Sequence, residues 1–315
     1  MRVALIGYGS VARAFVDLLA ANRHRFPFRI AGVHTRRATA FSEALQFEPP
    51  ATSVEQFLDR TQPEVLVELS SLNPHTGEPA ISHVRAAFAR GIHVVTANKG
   101  PIAHAWPALR DEAAARGLQF RFESTVVDGT PVFNLVRNCL PGVKIEGFSG
   151  ALNSTTKVVL AALAEGLSLD EGIARAQALG IAEADPSYDI DGWDSAVKAA
   201  ALANVLMDAA VTPDQVEREG IRHLSPAAVR DALANGHIWV LTSRAETLPS
   251  GRVRLRVRPE RLPVSDPLAT VQGTSNLLLL HTDLMGTVGT VSIEPGVAQT
   301  AYGILSDLVD ITRNL

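Results

Sequence analysis

Two stretches carry residue types whose spacing can do chemistry: a glycine loop at positions 7–12 and a carboxylate cluster ending in a lysine at positions 183–198. The first reads Gly7-Tyr8-Gly9-Ser10-Val11-Ala12, directly after the apolar run 2–6 and directly before an apolar segment through Phe15, Leu18 and Leu19. In that strand–turn–helix setting Gly7 permits the tight turn, Gly9 lets backbone approach a pyrophosphate, and Ala12 allows close packing of helix on strand. Ser10, Val11 and Ala12 then supply the helix N-terminus that faces the anion. A dinucleotide is the ligand this arrangement suits. The second β-rich run ends in His34-Thr35-Arg36-Arg37, with no carboxylate for ribose hydroxyls, so Arg36 or Arg37 is expected to hold a 2′-phosphate and NADP is preferred over NAD. Two solvated loop arginines are the plainer alternative. A third candidate is the run Thr96-Ala97-Asn98-Lys99-Gly100, which places Asn98 and Lys99 in a loop at a strand's C-terminal edge, where a nicotinamide ring would lie.

In the second stretch Glu183, Asp185, Asp189, Asp191 and Asp194 precede Lys198. Carboxylates this close repel unless a cation joins them. Calcium is a poor candidate: Ser187, Asp189, Asp191 and Gly192 fall at EF-hand positions 1, 3, 5 and 6, but Lys198 stands at position 12, where a bidentate glutamate is required. Asp194 and Lys198, spaced i,i+4, would pair on a helix surface for roughly 0.3–0.5 kcal/mol, which explains one pair but not the cluster. The preferred reading is a substrate carrying an ammonium group and a carbonyl or hydroxyl. Acids would hold the ammonium, and a lysine would exchange the proton that accompanies hydride transfer. Upstream, Asn153 or Ser154 can cap a helix whose free N–H groups either are simply capped or bind a substrate carboxylate. Opposed sites of this kind suit a small amino acid.

These residues need a scaffold, and the chain supplies one. Apolar β-rich runs at 2–7, 29–34, 65–69, 93–97 and 119–125 alternate with helical or mixed segments such as 11–20 and 81–90. That order predicts a Rossmann-type, doubly wound parallel sheet with ligands at its C-terminal edge. Beyond Pro131 the predicted helices at 155–165, 170–179, 193–209 and 226–235 mix with extended runs at 143–149, 252–258, 276–283 and 287–293, an α+β pattern. Ser168-Leu169-Asp170-Glu171 reads as a capping box, Gly180 as a helix stop, and 181–192 as a loop. The amphipathic run 298–312 is expected to return to the first domain. The domains are thus 1–130, completed by 298–315, and 131–297.

At 315 residues, 46% hydrophobic and 20% charged, the chain can bury two cores. Its 29 basic against 33 acidic residues, with no basic stripe, disfavour nucleic acid and anionic membrane as partners. Cys139 is alone, so no internal disulfide forms, and the nine histidines show no H-E-x-x-H or comparable spacing, so no catalytic transition metal is expected. The N-terminus enters a strand at once and no run of 18 apolar residues occurs, which favours a cytoplasmic protein.

With the motifs GYGSVA, TANKGPIA (96–103), ESTVVDGTP (123–131), GALNSTTK (150–157), LGIAEADPSYDIDGWDSAVK (179–198) and PGVAQTAYGILSDLV (295–309), the chain resembles homoserine dehydrogenases over nearly its full length. The EADP…D…G-x-D-x-x-x-K block is the specific part. The resemblance implies NAD(P)-dependent interconversion of L-aspartate 4-semialdehyde and L-homoserine, toward threonine and methionine, by a homodimer without a regulatory domain. It implies that Lys198 and Lys99 transfer protons, that Asp194 partners Lys198, and that Glu183 and Asp189 bind substrate; Ser154 and Thr155, at the start of the helix, are the further substrate-binding candidates. It also implies a Na+ or K+ site at Glu123 and the backbone around Val126, Asp128 and Thr130. The chain departs from the family at Ser154 and Lys157, at Glu294-Pro295-Gly296-Val297-Ala298, and at Asp128. Two rival expectations remain: a paralogue acting on a related semialdehyde, hydroxy amino acid or sugar, and a catalytically silent NADPH-binding regulator.

Overall fold

A computed structural model describes residues 1–41, 44–48 and 53–314. The chain divides into two compact units: the first joins Met1–Asn134 to the C-terminal stretch from Gly296, and the second is Leu135–Pro295.

In the first unit the order is β1 (Arg2–Ile6), α1 (Ser10–Ala21), β2 (Arg29–His34), β3 (Thr39–Ala40), α2 (Val54–Thr61), β4 (Val65–Glu68), α3 (Ala80–Phe88), β5 (His93–Thr96), α4 (Lys99–Ala115) and β6 (Phe120–Arg121), and a short helix α5 (Phe133–Cys139) follows. The sheet runs β3-β2-β1-β4-β5-β6, parallel except for the short β3. Strands β1, β4 and β5 are almost wholly buried, as continuous apolar runs covered on both faces must be. The order turns back between β1 and β4, and that reversal opens a crevice at the strands' C-terminal ends.

The second unit contains β7 (Ile145–Ala151), α6 (Ser154–Glu165), α7 (Leu169–Ala178), α8 (Ser187–Ile190), α9 (Trp193–Met207), β8 (Glu217–Arg218), α10 (Pro226–Ala234), β9 (His237–Thr247), β10 (Val253–Pro263), α11 (Pro267–Thr270), β11 (Asn276–Thr282) and β12 (Gly286–Ser292). Its sheet runs β12-β11-β7-β9-β10-β8, antiparallel except for β8 against β10. Burial alternates along β11, with Leu278 and Leu280 inward, while α6, α9 and α10 pack on the neighbouring strands. Ser168 and Glu171 form the expected capping box, and Gly180 follows the helix at φ +69°.

The final helix, α12 (Val297–Arg313), closes the first unit. Ala301, Ile304, Leu305, Leu308 and Ile311 form one stripe that packs with Ala12, Phe15 and Leu19 of α1 in a single apolar cluster. Leu308 is 0% exposed, so Leu308→Ala is expected to destabilise the protein by about 2–5 kcal/mol, measurable as a lowered urea midpoint.

Four sequence expectations change. The run 119–125 yields only β6, because Glu123–Thr125 turn into a 3-10 helix that brings the Glu123 carboxylate to the backbone N–H groups of residues 132–134. Strand β9 was not expected at all, although it lies between β7 and β10. Lys99 is the first residue of a helix rather than part of a loop. The stretch 181–192 contains the short helix α8.

Candidate active site

In the first unit, a cleft of about 700 Å³ is lined by Gly7, Gly9, Arg13, Arg36, Arg37 and His83, among others. Gly7 has φ +97°, and a Cβ there would lie 2.3 Å from the Leu69 carbonyl oxygen, so only glycine allows this turn beside β4. Gly9 caps α1 without any side-chain bond, and a Cβ at that position would meet nothing within 4 Å. Ser10, Val11 and the buried Ala12 form the first turn behind it, which suits a pyrophosphate. Arg36 and Arg37 are exposed in a turn held by Thr35, whose hydroxyl accepts the Arg37 and Ala38 N–H groups at 3.2 and 3.0 Å. These residues fit a phosphorylated dinucleotide.

At the far end of β5, Asn98 caps the helix that Lys99 opens. Its Oδ1 accepts the Gly100 N–H at 2.9 Å, its Nδ2 donates to the Ser70 carbonyl at 3.0 Å, and its own N–H reaches Thr96 Oγ1 at 3.0 Å. Asn98 therefore acts through backbone geometry, while Lys99 stands half-buried at the helix start.

Glu123 is buried. Its Oε1 accepts N–H groups from Val132 and Phe133 at 2.5 and 2.9 Å, and its Oε2 accepts that of Asn134 at 2.6 Å. In the adjoining loop Asp128 has φ +53°, and the Thr130 N–H donates to the Val127 carbonyl at 2.8 Å. Among the described residues no group of three or more His, Cys, Asp or Glu is arranged to hold a metal.

In the second unit the cluster draws together. Lys198 Nζ lies 2.8 Å from Asp194 Oδ2 and donates to the Leu152 carbonyl at 2.7 Å; the side chains of Lys198 and Asp194 are only 15% and 12% exposed, so this is no solvated surface pair. Asn153 joins the acids. Its Oδ1 caps α6 on the Thr156 N–H, while its Nδ2 donates to Asp189 Oδ1 at 2.7 Å and to Asp194 Oδ2 at 3.1 Å. Thr155 Oγ1 donates to Asp189 Oδ2 at 2.9 Å. Burial first, and then the neighbouring Asp194, raise the Asp189 pKa, against the opposing pull of Asn153, Thr155 and Lys198. The adjacent Tyr188 hydroxyl is buried without a hydrogen-bond partner among the described residues, and burial with both aspartates raises its pKa.

Not every candidate joins this group. Glu183 is exposed, and its carboxylate has no hydrogen bond or ion pair among the described residues. Ser154 donates to the Thr274 carbonyl, and Lys157 Nζ donates to the Ala151 carbonyl and to Asn276 Oδ1, so both family departures are tied into the second unit's own backbone and side chains. Asp191 pairs with Arg222 instead. Sequence reasoning saw Asn153 only as a cap; the acids 36 and 41 residues ahead are what give it a second role.

A doubly wound sheet with a glycine loop and an adjoining cleft, in a chain that also carries a largely buried lysine paired with a carboxylate, defines a nicotinamide-dependent oxidoreductase. Residues 131–309 match the family described as homoserine dehydrogenase, and residues 7–123 match the homoserine dehydrogenase NAD binding domain. The chain belongs to the homoserine dehydrogenase family. An NAD(+)-dependent homoserine dehydrogenase of Pseudomonas canavaninivorans is 34% identical over 99% of this chain and 96% of its own length. A homoserine dehydrogenase from Thiobacillus denitrificans has a similar structure, with TM-score 0.88 and 30% identity, over 99% of this chain and 73% of that one. A hyperthermophilic archaeal homoserine dehydrogenase in complex with NADPH gives TM-score 0.85 at 27% identity, covering 100% of this chain and 98% of that one. The protein is accordingly an NAD(P)-dependent enzyme for a small amino-acid substrate. No helix among the described residues is long and apolar enough to cross a membrane.

Proposed function

We propose that this enzyme interconverts L-aspartate 4-semialdehyde and L-homoserine with NADPH as the preferred reductant, on the route to threonine and methionine. The observation that carries the reading is the largely buried group of Lys198, Asp194, Asn153 and Asp189, a proton donor with acids suited to an ammonium ion. When bound, the reduced nicotinamide supplies the hydride to C4 of the semialdehyde. Lys198 Nζ gives its proton to the nascent alkoxide, completing the alcohol. Asp194 orients that amine, and Lys99 serves as the second proton-transfer lysine. Asp189, with Glu183, takes the substrate ammonium, and the α6 N-terminus at Ser154 and Thr155 takes the carboxylate. We assign the chain to the cytoplasm as a homodimer.

The test is a steady-state assay of homoserine oxidation with NADP and with NAD, set against other hydroxy amino acids and sugars. Turnover specific to homoserine supports the reading. Preference for another alcohol favours a paralogue, and NADPH binding without turnover favours a regulator.

Two further outcomes follow. Replacing both Arg36 and Arg37 by serine is expected to lower kcat/KM for NADPH by about 10- to 100-fold while leaving NADH little changed, since one charged contact to a 2′-phosphate, from whichever arginine makes it, is worth about 1.5–3 kcal/mol. On the acid side, the KM for homoserine is expected to rise as pH falls, starting above the ordinary aspartate range near ~3.9, because Asp189 takes up its proton early and a neutral acid no longer attracts ammonium. A pH series of KM against kcat checks this.

For a monovalent cation the loop at 126–130 offers carbonyl oxygens rather than the Glu123 carboxylate, which already accepts three N–H groups. Those of Val126 and Thr130 accept no hydrogen bond among the described residues. They suit Na+ or K+ through oxygen ligands, with Asp128 altering the ion preferred.

A further inference from the structure

The cofactor cleft contains an imidazole that no reading above uses. His83, on α3, lines the cleft together with Gly7, Gly9, Arg36 and Arg37. Its Nδ1 lies 3.2 Å from Oε1 of Glu68, the last residue of β4, which pairs in register with Ile6 just before the glycine loop. The Glu68 side chain is 0% exposed and that of His83 13%. Glu68 also accepts the Ser70 N–H at 3.0 Å and the Thr96 hydroxyl at 3.2 Å, so both carboxylate oxygens act as acceptors. His83 Nδ1 then carries the hydrogen toward Glu68, and Nε2 has no partner among the described residues.

We infer that His83 is a cofactor-binding residue that, backed by Glu68, takes up a proton when the dinucleotide enters and donates from Nε2 to its pyrophosphate. The inference rests on the dinucleotide reading of this cleft and adds a ligand group to it. A hydrogen bond from an imidazolium to a phosphate oxygen is charge-assisted, and the Glu68 carboxylate behind Nδ1 leaves Nε2 as the nitrogen that faces the ligand. The cleft's other histidine, His34, is no competitor for the proton. Its Nδ1 is bonded to Thr39 Oγ1 at 3.0 Å, it has no carboxylate partner, and burial followed by repulsion from His83 lowers its pKa. The remaining charges around His83 are Glu55 of α2, Glu78 ahead of α3, and Arg13, Arg36 and Arg37 along the cleft. Helix α4 meets α3 through Glu112 on Arg85, and β5 contributes the uncharged Thr96. Glu68 is thus the acid in direct contact with the ring.

The test is calorimetric titration of the intact protein with NADPH and with ADP-ribose, in two buffers of different ionisation heat, at about pH 6, 7 and 8.5, around the ordinary histidine range. ADP-ribose carries the pyrophosphate but not the 2′-phosphate, which itself titrates near pH ~6. The expected result is proton uptake with both ligands, greater than in His83→Gln, and a loss of affinity in that variant of about tenfold at pH 6 but under about twofold at pH 8.5. Equal proton uptake in both proteins, or a loss independent of pH, overturns the inference. Should the variant fail to fold, the wild-type titration with ADP-ribose decides, uptake supporting and its absence refuting. Homoserine turnover is read separately: its loss with proton-linked binding intact sinks the proposed activity alone.

Discussion

Lys198→Ala lowers kcat for homoserine oxidation by about 10²- to 10⁴-fold, the range for losing a positioned proton-transfer group, while NADPH binds as before. The amine sits 2.8 Å from Asp194 and 2.7 Å from the Leu152 carbonyl, so its removal also leaves Asp194 as a buried acid without its cation. Breaking such a pair costs about 3–5 kcal/mol of stability, which would blur a simple activity measurement. Lys198→Arg separates the two effects. Arginine keeps the positive charge beside Asp194 but does not release a proton near neutral pH, so stability should largely return while turnover does not. Measuring kcat, NADPH affinity and the urea midpoint for both variants checks this. Near-normal turnover in either one would rule Lys198 out as the proton donor.

Asn153→Ala is expected to lower stability by about 4–7 kcal/mol and to raise the homoserine KM about tenfold or more. The estimate combines a lost helix cap, about 1 kcal/mol, with two lost bonds to carboxylates, which are stronger than neutral ones. Without Nδ2 between them, Asp189 and Asp194 face each other with less to offset their repulsion, and the ammonium site loses its shape. Asn153→Asp distinguishes capping from bridging. Aspartate caps as well as asparagine, so the helix is retained, but a third acid joins the pair. This variant should therefore lose more stability than the asparagine protein as pH rises through the carboxylate range, where the raised Asp189 pKa already costs the latter some. Equal pH dependence of the two urea midpoints would show that Asn153 serves only as a cap. NADPH affinity, measured in parallel, should be unchanged in both.

Much of this protein was legible in features that span only a few residues. The glycine loop, the Ser168–Glu171 capping box, the Gly180 stop and the apolar stripe of α12 depend on neighbours within a turn or two, so residue type alone specifies them. The parallel sheet was readable because β1, β4 and β5 are buried on both faces and are therefore largely apolar. Strand β9 was not readable. His237–Thr247 mixes apolar and polar residues without a clean period, since it lies between two strands and its central residues Val240–Ser243 are buried in succession. Its place is decided by pairing with β7 and β10. The sites divide in the same way. Asp194 and Lys198 are a turn apart and could be matched by spacing, whereas Glu123 looked like a strand residue until residues 132–134 came round to its carboxylate. Glu68 left a trace, an acid inside the apolar run VLVEL, but its partners Ser70, His83 and Thr96 come from three separate segments. Local rules settle which element forms because their energies come from adjacent residues. The partner of a buried charge is settled only when distant segments exclude water together, since desolvation is what makes that pairing necessary.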